Sequence, residues 1–96
     1  MNERSRRTLV TVADRIRDRL AALHPESLEI LDESGDHVGH AGARDGGGHY
    51  QLIIVSRAFE NQAPQARHRM IYAALGPMMH KEIHALAIKA FAPEEI

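Results

Sequence analysis

The chain contains no cysteine. That excludes disulfides, thiolate-bound metals and a cysteine nucleophile within it, and it fits a reducing compartment. Tryptophan is absent too. The aromatic set stops at Tyr50, Phe59, Tyr72 and Phe91, too few for a platform that stacks single-stranded bases. No apolar run approaches the length of a membrane span. The first 24 residues hold six arginines but also Glu3, Asp14 and Asp18, without a signal-type apolar stretch, so the reading is cytosolic. An excess of one charge is lacking as well. Twelve Lys and Arg stand against 13 Asp and Glu, a formal net charge of −1 with histidine neutral, which exerts no bulk pull toward DNA or a membrane surface. Catalytic signatures are missing: no Gly-rich phosphate loop follows a strand, and no nucleophile elbow is present. Asp32 and Glu33 are sequence neighbours rather than an acid and base facing across a cleft. The chain reads as non-enzymatic.

What is present is a 96-residue chain, read as a single domain over residues 1–96, with 44% hydrophobic residues and seven histidines. The histidines stand at 24, 37, 40, 49, 68, 80 and 84. Leu9, Val12, Ala13, Ile16, Leu20 and Leu23 recur on one helical face, which predicts a first helix capped by Ser5 or Thr8 and ended by His24-Pro25. Residues 27–32 read as a short strand. Residues 33–48 hold most of the chain's glycines and form a long, irregular loop. Residues 50–56 (YQLIIVS) are apolar on both faces near their end, which predicts a central strand. Pro64 suits the first position of a second helix over 65–75, whose buried stripe is Met70, Ile71, Ala74, Leu75 and Met78. Gly76-Pro77 predicts a kink or restart, with Met78 and Met79 still packing inward. Residues 83–91 (IHALAIKAF) alternate as a third strand with Leu86, Ile88 and Ala90 on one side. The order helix-strand-strand-helix-helix-strand predicts an α+β fold, a three-stranded sheet with helices on one face.

Several motifs offer chemistry. His80 and His84 are spaced four apart, as a helical zinc pair would be, but the glutamate between them is not where HExxH requires it and Ile83-His84 reads as the start of a strand. Arg67-His68-Arg69 looks like a basic patch, yet on a helix Arg67 and Arg69 diverge by about 200°. One of them snorkels at an edge while the other pairs with an acid.

The segments LEILDESGD (28–36) with His37, GGGHYQLIIVS (46–56), FE (59–60), RHRMIY (67–72) and IHALAIK (83–89) together resemble the BolA family. The resemblance runs from the first helix to Lys89. It implies a small α+β fold like the type II KH domain. It also implies partnership with a monothiol glutaredoxin around a shared [2Fe–2S] cluster, in iron–sulfur and iron homeostasis, and regulation of transcription through DNA binding, in stress response and morphology. The family's cluster-linked histidines, one in the loop between strands one and two and one in the C-terminal HAL motif, carry over to His37 and His84, with His40 as a substitute for His37 and His49 at the loop's far end. Some relatives carry a cysteine in this loop and this sequence has none, so it resembles the histidine-loop type. With no thiolate of its own, the chain needs its partner and glutathione to supply sulfur ligands. For the DNA-binding alternative the candidate contacts are Arg67, Arg69, Lys81 and Lys89. The RNA clamp of a KH domain, a GXXG loop between two helices, has no counterpart at residues 60–63; the GXXG at 39–42 lies in the inter-strand loop.

Overall fold

A computed structural model describes residues 10–34 and 48–96. Helix α1 spans Val12–Leu20 and continues as a 3-10 turn, Ala21–Leu23. Strand β1 is Ser27–Asp32 and strand β2 is Gly48–Val55. A 3-10 turn, Arg57–Phe59, leads to helix α2, Pro64–Leu75. A second restart, the 3-10 turn Gly76–His80, precedes β3, Ile83–Phe91, and a last turn spans Pro93–Glu95. The predicted caps Ser5 and Thr8 lie outside the described residues. The observed cap is Thr11, whose hydroxyl accepts the Asp14 amide while the Asp14 carboxylate accepts the Thr11 amide. This reciprocal pair starts the helix because it satisfies two amides that no helical carbonyl reaches.

The sheet order is β1-β2-β3, so β2 is central, as its two apolar faces predict. β1 runs antiparallel to β2, and β3 runs parallel to it. Parallel pairing needs a crossover, and α2 with its flanking turns provides one. Leu28, Ile30, Tyr50, Leu52, Ile54, Leu86, Ile88 and Ala90 share the face that packs on the helices. Against them lie Ile16 and Leu20 from α1, Ile71 and Leu75 from α2, and Phe59 and Met78 from the turns, all buried. The fold class read from the sequence, α+β with a three-stranded sheet, is the one observed. Gly76 sits at φ 58°, ψ −132°, a backbone region that side chains avoid, and lets α2 turn into Pro77 and the second restart.

Candidate site at the start of the third strand

His84 stands near the first residue of β3 and is exposed. Its direction is set by an irregularity in the parallel ladder. Gly48 pairs with Ile83, but the next residue, His49, pairs with Ala85. One residue of β3, His84, is therefore extra, and such a bulge re-aims a side chain. Ile83 stays buried in the core. His84 turns instead onto His49, with ring centroids 5.2 Å apart and planes 16° from parallel.

Short hydrogen bonds fix this corner. The Gly48 amide donates to the Glu82 carbonyl at 2.8 Å. The Glu33 amide donates to the His49 carbonyl at 2.8 Å, and the His49 amide to Ser34 Oγ at 2.9 Å. The Ser34 amide is itself held by Asp32 Oδ1 at 2.9 Å. The two ends of the 35–47 segment are thereby joined directly beside the imidazole pair. Tyr50 closes the corner from the core side. Burial, helped by the Asp32 charge, pushes its phenol above the ordinary value, against a smaller opposing effect of its Ser34 hydrogen bond, so the ring stays protonated. Glu82 is held below the usual carboxylate range, first by its own backbone amide and then by Arg15, whose Nη1 donates to Glu82 Oε2 at 2.6 Å.

Of the residues picked from the sequence, His84 is at the site, and His37 and His40 lie outside the described residues. His80 belongs to a 3-10 turn and His84 to a strand, so the helical spacing needed for a zinc pair does not exist. Among the four cations considered for DNA, Arg67 requires a correction. It is 9% exposed. Its guanidinium donates from Nε to the Gln62 carbonyl at 2.8 Å and from Nη1 to the Ala90 carbonyl at 3.0 Å. Both terminal nitrogens grip Glu95 at 2.7 Å. The cause is periodicity: Arg67 lies four and eight residues before Ile71 and Leu75, on the buried stripe. Arg69 is exposed on α2, Lys81 in the turn before β3, and Lys89 on β3 opposite Ile53. The pairing of His49 with His84, the Ser34 clasp and the Arg15–Glu82 contact were not read from the sequence.

Chemically the corner offers imidazole nitrogens at an exposed strand end, next to a backbone corner held by four hydrogen bonds. Imidazole ligates iron well, and two imidazoles can replace two thiolates on one iron of a [2Fe–2S] cluster. The residues fit such a group as the nitrogen half of a ligand set, since the whole chain has no cysteine to complete it.

The comparisons agree with the resemblance. The family model for BolA-like protein matches residues 20–95. BolA-like protein 1 of Bos taurus is 41% identical over 74 residues, 77% of this chain and 53% of its own length, so the chain spans about half of that relative. The DNA-binding transcriptional regulator BolA of Escherichia coli is 35% identical over 85 residues, 88% of this chain and 78% of that protein. The solved BolA domain of SufE1 from Arabidopsis thaliana superposes with a TM-score of 0.73 at 42% identity, covering 85% of this chain and 92% of that domain. A match that runs from the last residue of α1 to the final turn, on the same fold, leaves one conclusion: the chain belongs to the BolA-like family.

Proposed function

We propose that this protein is a non-enzymatic adaptor that pairs with a monothiol glutaredoxin and shares or passes on a [2Fe–2S] cluster. The observation that carries the reading is the exposed His84, turned by a bulge onto His49, in a chain without a single thiolate. A cluster needs four ligands, and nitrogen from this chain complements sulfur from a partner and its glutathione. When bound, the cluster supplies exchangeable iron and sulfide and one-electron redox chemistry. This chain's residues bind and orient. His84 presents a ring nitrogen, His49 backs it, and the Ser34 and Glu82 hydrogen bonds keep the corner closed. His37, three residues beyond Ser34, is the second ligand that the family resemblance implies, with His40 as its substitute.

The test is the visible absorption and circular dichroism spectrum of the chain reconstituted with iron and sulfide, with and without a monothiol glutaredoxin and glutathione. The chain alone is expected to hold no stable cluster. The mixture is expected to give a heterodimer whose spectrum differs from that of the glutaredoxin homodimer, because nitrogen has replaced sulfur on iron. His84→Ala should abolish that difference. A fully occupied cluster on this chain alone, or an unchanged heterodimer spectrum in His84→Ala, overturns the reading.

A second reading, a DNA-binding regulator using Arg69, Lys81 and Lys89, is favoured by the 35% identity with the regulator of Escherichia coli.

A further inference from the structure

Glu82 is the point where three parts of the fold meet. Its carbonyl accepts the Gly48 amide at the start of β2. Its carboxylate takes Arg15 of α1, 67 residues away, at 2.6 Å. Two residues on, the bulge carries His84 onto His49, the residue after Gly48. Arg15 lies one residue before the buried Ile16, so its backbone is fixed by the core while its side chain, about half exposed, reaches outward to the strand. An exposed pair of this kind contributes little to global stability. Its consequence is local, because it ties the residue that precedes the bulge to a rigid helix.

We propose that the Arg15–Glu82 ion pair is a positioning device for His84. Held from α1, the 82–83 backbone has one register against Gly48, and the extra residue of the bulge has one direction, over the His49 ring. Without the strap, this end of β3 keeps the buried Ile83 and the Gly48–Glu82 hydrogen bond, and the extra residue that follows them is freer to turn away from the His49 ring. Arg15 and Glu82 thus act on the site without touching anything bound there. The functional consequence rests on the reading of His84 as an iron ligand, while the structural half stands on the free chain.

The experiment follows the His49 and His84 ring resonances of the free, full-length chain by NMR, in Arg15→Gln, Glu82→Gln and Arg15→Lys. Stacked rings shift each other's signals. Both neutral variants are expected to lose that mutual ring-current displacement, with far-UV circular dichroism unchanged. Arg15→Lys, which keeps the charge, is expected to recover most of it. Rings that stay put in both neutral variants overturn the proposal, as does a lysine variant that behaves like the glutamine one. The same variants loaded as glutaredoxin heterodimers separate the two ideas. If the rings move but the heterodimer spectrum does not, the ligand role of His84 falls and the positioning role stands. If the rings move and the spectrum moves with them, both stand.

Discussion

Gly48 shows how much of the corner depends on one missing side chain. A Cβ built there would fall onto Ser34 Oγ and within 2.7 and 2.8 Å of Tyr50 Cε2 and Oη. Tyr50 is buried and cannot retreat without opening the core, and Ser34 is bonded to the His49 amide. Gly48→Ala is therefore expected to cost about 1–3 kcal/mol, the usual range for forcing atoms into a packed site. It should also break the Ser34 clasp and spread the His49 and His84 rings. Urea unfolding gives the first quantity and NMR of the ring signals the second; a fully stable Gly48→Ala with unmoved rings would show the contact to be slack. None of this was legible in the sequence, where Gly48 is simply the last of three consecutive glycines. Its constraint comes from Ser34 and Tyr50 meeting it in space. His49 was likewise visible only as a loop-end histidine, because its neighbour lies 35 residues away across a parallel ladder whose bulge has no local signal. His84, by contrast, was legible, since the strand pattern of IHALAIK and the family resemblance both put it at the start of β3.

At the scale of elements, α2 and the final turn are joined by a latch. Arg67 projects from the buried stripe of α2 and holds Glu95 through both terminal nitrogens, while Glu95 Oε1 also accepts the Ala92 amide. The guanidinium sits 6.0 Å from the centre of the buried Phe59 ring as well. Arg67 and then the Ala92 amide hold the Glu95 carboxyl at about 2, below its ordinary 4.5. The folded-state value is the depressed one, so the stabilisation is fully present above pH 4.5 and is lost as pH falls toward 2. Glu95→Gln is accordingly expected to lower the melting temperature at pH 6, with the difference from the parent chain shrinking between pH 4.5 and 2; a difference independent of pH would remove the carboxylate from the account. Arg67→Ala leaves two backbone carbonyls and a carboxylate without their donor and is expected to cost on the order of 1–3 kcal/mol. The inward turn of Arg67 was partly legible. The divergence of Arg67 from Arg69 follows from helical geometry alone, and the step of four to Ile71 says which of the two faces the core. Its partner was not legible, because Glu95 sits in a three-residue turn whose sequence gives no hint of what it docks against.

The described residues form two layers, and this decides how DNA could be met. The helices cover the face of the sheet that carries Tyr50, Leu52 and Ile54. Lys89 is exposed and paired with Ile53, so it belongs to the opposite face, with Ala85 and Ala87. Arg69 is exposed on α2, on the helical side. A rigid duplex laid against one side reaches Arg69 or Lys89 but not both, and Arg67 is already committed inside. Lys81, in the turn before β3, can accompany either one. At most about two of these phosphate contacts form together, which limits their share of the slope of log K against log salt to roughly −2, at about −0.9 per phosphate. With a formal net charge of −1, the chain adds no general attraction to make up the difference. Titrating the protein against a duplex between about 50 and 200 mM salt is therefore expected to show weak binding that declines shallowly. Arg69→Ala and Lys89→Ala should act separately, each reducing the slope only when its own face is the one engaged. Tight binding with a steep slope, lost together in both variants, would mean that the two faces meet nucleic acid at once, and the DNA-binding reading would then take first place over the adaptor.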